Sequence, residues 1–310
     1  MKLCDNDKYI KSLELLTESI SNLVKWTKGD YMKKFLSVMA CLVMVLVGGV
    51  ALAACGDSKD KIPSDAKYIS NSAELVEAIN NQKDNEYWVL EAGTYDLDPN
   101  ATIIIYGDQT GWYLPIVANG ITIRGEGDVT LMSTHDTPNA AWASQNFITV
   151  VGDNVTIRNL TVVCKKEVNK AVEVLGKNVT IKDMTFNAPS DYDFAGSIYF
   201  NQQGIDGNEA GDVGTVTLGN VNLNKGRITA SGASTGTIKF NNVKIDWTGI
   251  EEELIAGFYP MLNFNNEGKT FTYEGASTVE VKMSETEMGA EYETAVANLI
   301  EGVKLVNVDA

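Results

Sequence analysis

From Gly120 onward the chain repeats one phrase in which Ile, Val or Leu alternates with Thr, Lys or Arg. It runs Gly120-Ile-Thr-Ile-Arg-Gly, Asn154-Val-Thr-Ile-Arg-Asn-Leu-Thr-Val, Asn178-Val-Thr-Ile-Lys-Asp-Met-Thr-Phe, Gly214-Thr-Val-Thr-Leu-Gly-Asn-Val-Asn-Leu and Gly236-Thr-Ile-Lys-Phe-Asn-Asn-Val-Lys-Ile. An apolar residue at every second position is the period of a strand with one buried face. The polar break inside each phrase (Arg158-Asn159, Lys182-Asp183, Asn241-Asn242) predicts a sharp corner, because Asn tolerates left-handed backbone and bonds its own neighbouring backbone groups. The phrases begin 34, 24, 36 and 22 residues apart, a basic repeat of a little over twenty residues with insertions in two. Such a period implies a solenoid, in which no repeat buries its apolar face alone and neighbours stack to make the core. Stacking would bring Asn159, Asp183, Asn220 and Asn242 into one ladder. A β-sandwich of short strands and regular turns is the competing arrangement, and the repeated phrase counts against it.

Upstream, Asn71-Ser72-Ala73-Glu74 predicts a helix start with a capping pair, followed by Leu75, Val76 and Ile79 on one face. Tyr87 to Leu97 reads as strand, tight turn and strand, with Trp88 in the core. This short helix followed by strand, Gly93-Thr94-Tyr95 and strand resembles the opening of pectin-lyase-like right-handed parallel β-helices, and the resemblance spans roughly Asn71 to Ile245. It implies an all-β, right-handed parallel β-helix whose N-terminal helix covers one end of the stack. Beyond Ile245, Phe271-Thr-Tyr-Glu and Thr278-Val-Glu-Val-Lys still alternate. Glu287 to Glu301 predicts a helix and Val303 to Val308 a last strand, together expected to close the second end, since bare strand edges invite aggregation.

Met32 to Asp57 carries a different pattern: Lys33 and Lys34, an apolar run from Phe35 to Ala51, then Leu52-Ala53-Ala54-Cys55. A positive start, a short apolar run and small residues before a cut make a secretory signal, and the cysteine after the small pair resembles a bacterial lipoprotein signal. A membrane span wants roughly 20 apolar residues, and this run is shorter and contains Gly48-Gly49. The resemblance implies that Cys55 becomes the first mature residue and carries acyl chains, which tether the protein to a membrane on its extracytoplasmic side. The chain then divides into residues 1–31, which precede an apparent start at Met32; a signal, 32–54; a polar linker, 55–66; and the β-helix domain, 67–310. A cytoplasmic extension ahead of an uncleaved anchor is the other reading of residues 1–31.

Charge narrows the partners. The chain has 25 basic and 41 acidic residues, of which the first 54 residues hold 7 and 5, so the remainder carries 18 against 36. That balance excludes nucleic acid, whose phosphates need clustered Lys and Arg. Only Cys164 remains in the body, which excludes a disulfide framework and reads as a buried apolar filler.

Enzymes of the fold that this chain resembles use basic residues with calcium-holding acids, clustered aspartates, or two aspartates with an arginine. The three arginines, Arg124, Arg158 and Arg227, lack the Arg-X-Pro-X-X-Arg arrangement of such lyases, and Arg158 matches Lys182 one phrase on, as a solvated strand residue does. The only histidine, His135, stands in Ser133-Thr134-His135-Asp136-Thr137 and not in a Gly-His-Gly. No catalytic residue is assigned. Two insertions, Leu131 to Ala143 and Ala188 to Asp212, are where a site is expected, because loops on a rigid scaffold carry binding groups. Trp112 and Tyr113, with Trp142, Asp191, Tyr192 and Asp193, are the candidate sugar-binding residues. Asp206, Asn208 and Asp212 are a candidate calcium site by their oxygen ligands in a Gly-containing loop, although no Glu completes an EF-hand spacing. Two functions stand: a non-catalytic, membrane-tethered module that binds a polysaccharide or other surface component, and a divergent polysaccharide lyase or glycoside hydrolase.

Overall fold

The computed structural model describes residues 61–98, 113–133, 146–164, 170–188, 197–200, 211–230, 235–249, 262–263, 271–297 and 299–310. The chain forms two units, Met1–Ile62 and Pro63–Ala310. The extension, the signal and Cys55 lie outside the described residues, and the second unit is the subject from here on.

The unit is mostly β-sheet, and its strands run parallel in two sheets that the chain visits alternately. The larger sheet takes β1 (Lys67–Ile69), β2 (Tyr87–Leu97), β4 (Thr122–Ser133), β6 (Thr156–Val163), β8 (Thr180–Asn187), β10 (Asp212–Asn224), β12 (Thr235–Asp246), β15 (Val279–Met283) and β16 (Lys304–Asn307) in that order, with β14 (Phe271–Glu274) also on β12. The smaller sheet takes β3 (Leu114–Ile116), β5 (Asn146–Val150), β7 (Lys170–Val174), β9 (Ile198–Phe200), β11 (Ile228–Ala230) and β13 (Leu262–Asn263). Inward residues of both sheets, among them Ile123, Ile157, Ile181, Leu218 and Ile238 from one and Ile148, Val172, Ile198 and Ile228 from the other, are fully buried in one core. This is the period-two pattern of the repeated phrase converted into burial.

The phrase corners are as expected in place and different in kind. Asn159, Asp183, Asn220 and Asn242 have φ of 58°, 55°, 51° and 57°, the left-handed region that Asn and Asp visit most readily after Gly. Asn220 donates to Asp183 at 2.8 Å and Asn242 donates to Asn220 at 2.9 Å, so the ladder forms. β6, β8, β10 and β12 each turn this corner within one strand, their register skipping the corner residue, and β2 likewise continues where a turn between two strands was expected, with a register shift between Glu91 and Gly93. A second left-handed column opens four of the phrases, at Gly120, Asn154, Asn178 and Gly214, and continues to Asn85 ahead of β2.

At the N-terminal end, α1 (Ser72–Asn80) is capped by Asn71, whose side chain accepts from Glu74 N–H at 3.0 Å, while the Glu74 carboxylate accepts from Ser70 N–H at 2.7 Å. Leu75, Ala78 and Ile79 are buried. Gln82 then ties the helix end to the smaller sheet, donating to Ile79 O at 2.8 Å and Pro115 O at 3.0 Å and accepting from Val117 and Ala118 N–H at 2.7 and 2.9 Å.

At the other end the single helix expected from Glu287 to Glu301 is instead α2 (Glu285–Met288), a 3-10 turn over Gly289–Glu291 and α3 (Tyr292–Ala297). Gly289, with φ 52° and ψ −128°, adopts a backbone open to glycine and ends α2 there. Met288, Tyr292 and Ala295 bury against the core, whereas β16 pairs parallel with β15 and prolongs the larger sheet.

Candidate functional site

Connection lengths separate the two sides of the stack. Passing from the larger to the smaller sheet, sixteen residues join β2 to β3, twelve β4 to β5, six β6 to β7, ten β8 to β9, three β10 to β11 and fifteen β12 to β13. Returning from β3, β5 and β7 the chain uses five residues each time, from β9 eleven, from β11 four and from β13 seven. Four of the five connections of ten residues or more enter the smaller sheet at the starts of its strands, and the fifth, from β9, enters the larger sheet at β10. Of the two inserts read from the sequence, the first overlaps β4, which runs on to Ser133, and the second contains β9, a regular strand of the smaller sheet.

A polar group lies on the outward face of the smaller sheet, with Asn146 and Lys170 at the starts of β5 and β7 and Thr149 and Glu173 near their ends. Because Ile148, Val172, Ile198 and Ile228 face the core, their neighbours Thr149, Glu173, Tyr199 and Thr229 face the other way, and the register sets these four side by side across β5, β7, β9 and β11. An outward face of this kind is ordinarily solvated, yet Thr149 is fully buried, Glu173 is 5% exposed and Thr229 8%. A buried carboxylate needs partners. Asn146 Nδ2 donates to Glu173 Oε2, and Lys170 Nζ stands 3.8 Å from Glu173 Oε1 and 4.2 Å from the centroid of the Tyr199 ring. The ring face and the carboxylate both favour the ammonium. Burial lowers the Lys170 pKa, Glu173 opposes that shift and Arg227 adds to it. Burial raises the Tyr199 pKa, with Glu173 raising it further and Arg227 opposing. Arg227 itself precedes β11, and its N–H donates to Ser197 Oγ at 3.1 Å.

Two buried atoms of this group have no hydrogen-bond partner among the described residues: Asn146 Oδ1 and Thr149 Oγ1. Leaving such atoms unpaired costs roughly 1–3 kcal/mol each. The group therefore offers a carboxylate, an amide oxygen and a hydroxyl, a set that accepts hydrogen bonds from hydroxyls. It contains one carboxylate, and among the described residues no three His, Cys, Asp or Glu side chains are placed to hold a metal ion.

Of the residues singled out from the sequence, Trp112, Trp142, Asp191, Tyr192, Asp193, Asp206 and Asn208 lie outside the described residues. Tyr113 is fully buried and stacks on Phe147 at 5.3 Å between centroids, so this ring is packed instead of presented. Asp212 is exposed at the start of β10, and its carboxylate accepts from Gly214 N–H at 2.8 Å, a turn-closing bond. Trp88 and Cys164 are core residues as expected. Arg158 pairs in register with Lys182 as read, and with Arg124 on its other side, but it is not solvated: it is 9% exposed and donates to the Tyr87 hydroxyl at 3.0 Å.

Sequence reading missed Asn146, Thr149, Lys170 and Glu173, and placed Tyr199 in the second insertion, where it is instead part of β9. The available signal was Lys170-Ala-Val-Glu-Val, two charges in an otherwise apolar strand. No family model matches the chain, and no curated protein or solved structure matches it either.

Proposed function

We propose that the chain is an extracytoplasmic lipoprotein, acylated at Cys55, whose body is a right-handed parallel β-helix of the pectin-lyase-like kind acting as a non-catalytic module that binds a glycan at a cell surface. The solenoid reading is supported by alternate visits to two parallel sheets, by offsets of 34, 24, 37 and 22 residues between hydrogen-bonded corner residues, and by the right-handedness that parallel crossovers almost always have. The binding reading is carried by one observation: four of the five connections of ten residues or more lead into the smaller sheet, on whose outward face Thr149 and Glu173 lie. Length variation concentrated on one side of a regular scaffold is the mark of a binding side. The lone carboxylate of the group falls short of the pair that glycoside hydrolysis requires.

Lys170, with its pKa lowered by burial beside Tyr199, favours a second reading, a divergent polysaccharide lyase with an amine base. The test is a panel of soluble polysaccharides incubated with the full chain carrying Cys55→Ser. Retention of a glycan with no new reducing ends and no unsaturated products supports the binding module. Product formation that is lost in Lys170→Met supports the enzyme. Fractionation of the unmutated chain tests the anchor: membrane association abolished by Cys55→Ser is expected, and unprocessed soluble material rejects it.

A further inference from the structure

We propose that Lys170 and Asn146 join in an amide cross-link between β5 and β7, formed within the folded chain with Glu173 as the proton carrier. The inference stands apart from the glycan-binding reading above. Register brings the pair together: Asn146 and Lys170 are paired positions on neighbouring strands, which lie ~4.8 Å apart. Their side chains then meet on one carboxylate, Asn146 Nδ2 donating to Glu173 Oε2 and Lys170 Nζ standing 3.8 Å from Glu173 Oε1. An amine, a carboxamide and a carboxyl group held side by side are the three groups that amide exchange requires. Burial adds to this. Asn146 is fully buried and Glu173 is 5% exposed, which keeps out water, the competing nucleophile. The Tyr199 ring lies 4.2 Å from Lys170 Nζ, and burial, opposed by Glu173 and aided by Arg227, shifts Lys170 towards the neutral amine that can attack a carbonyl.

Asn146 Oδ1 has no hydrogen-bond partner among the described residues. The two ends of a carboxamide have the same outline. Turned over, Asn146 sets Oδ1 against Glu173, and a protonated Glu173 donates to it and polarises the carbonyl. The Lys170 ammonium gives Glu173 that proton. The freed Nζ lone pair then bonds to Asn146 Cγ as the Glu173 proton passes to Oδ1. Glu173 next takes a proton from Nζ and delivers it to Nδ2, the Cγ–Nδ2 bond breaks, and the departing ammonia removes the Oδ1 proton as ammonium. Glu173 ends as the carboxylate it began as, and no oxidant, reductant or outside reactant enters. The product ties two turns of the stack together, and an acylated Lys170 has no amine left to serve as the base of a lyase.

The full chain carrying Cys55→Ser is denatured, digested with trypsin and read by mass spectrometry. Trypsin cuts after Lys and Arg, so an unlinked chain releases 125–158 apart from 167–170 and 171–177. A linked chain resists cutting at Lys170 and yields one branched fragment, 125–158 joined to 167–177, lighter by one ammonia than the two pieces. The branched fragment is expected from the parent and is expected to vanish in Lys170→Arg, Asn146→Ala and Glu173→Gln, with the circular dichroism spectrum of the parent. Release of the separate pieces from the parent overturns the inference, whether or not every variant folds. Loss of ammonia confined to 125–158 also overturns it, because an asparagine that closes on its own backbone loses ammonia without reaching Lys170. A branched fragment that persists undiminished in Glu173→Gln overturns the part given to Glu173.

Discussion

Gly176→Ala adds a Cβ that falls inside contact distance of the Gly152 carbonyl oxygen, 2.7 Å from the Gly152 carbonyl carbon and 2.9 Å from Val151 O. All three neighbours are backbone, so no side chain rotates to make room. Restoring ordinary contact requires the β5 and β7 turns of chain to part by roughly 1 Å. That separation loosens the bonds that Leu175 and Gly176 N–H donate to Val150 O, at 2.8 and 3.0 Å. Overpacking typically costs about 1–3 kcal/mol and a weakened backbone hydrogen bond about 1 kcal/mol, so Gly176→Ala is expected to destabilise by about 2–4 kcal/mol. Gly219→Ala is the control. Its new Cβ meets only Lys182 Cβ, at an ordinary 3.4 Å, and the change is expected to stabilise by about 0.4–1 kcal/mol through the unfolded chain. Urea unfolding followed by circular dichroism, with the slope checked for constancy, measures both. Equal stability of Gly176→Ala and the parent, or equal loss in both variants, refutes the close stacking at Gly152 and Gly176.

Asn220→Ala loses the bonds to Asp183 and Asn242 and places a Cβ residue at φ 51°; it should cost about 1–3 kcal/mol, and Asn220→Gly less, by unfolding midpoint. Thr149→Val removes a buried hydroxyl that lacks a partner among the described residues and should raise stability by about 1 kcal/mol, read from the urea midpoint. Acid should loosen both ends first. Bonds from the Ser70 N–H and hydroxyl lower the Glu74 pKa from 4.5, and bonds from Thr286 N–H and the Ser284 hydroxyl lower that of Asp309 from 3.8. A lowered folded value means stability that is present above the ordinary value and lost as pH falls through the folded one. Hydrogen exchange at the Ser70 and Thr286 amides should therefore rise with acidification before that of β6 and β8.

The larger sheet was legible because its phrase repeats a chemical pattern tied to backbone geometry. Asn159, Asp183, Asn220 and Asn242 announce a left-handed position, and the alternation on either side announces which face is buried. The smaller sheet was illegible for the converse reason. Leu114-Pro-Ile, Ile198-Tyr-Phe and Ile228-Thr-Ala are too short to show a period, and connections of six to sixteen residues separate most of them from the phrase. Its glycine corner, Val151-Gly-Asp-Asn and Leu175-Gly-Lys-Asn, repeats over only two turns. The polar group escaped notice because its burial comes from tertiary placement: Thr149 and Glu173 stand in positions whose alternation marks them as surface. Arg158 illustrates the same limit, since its register partners were readable and its burial beside Tyr87 was not.

Stacking in register makes one linear demand. Thr94, Thr130, Thr161, Thr185, Asn222, Lys244, Glu280 and Lys304 succeed one another as paired positions, with adjacent strands ~4.8 Å apart. Spin labels at Thr94 and Lys304, read by double electron–electron resonance, should lie about 34 Å apart, and labels at Thr94 and Lys244 about 24 Å. Distances that grow by a constant step with each strand crossed, whatever the number of intervening residues, bear out the stack. A Thr94–Lys304 distance no longer than that from Thr94 to Lys244 contradicts it.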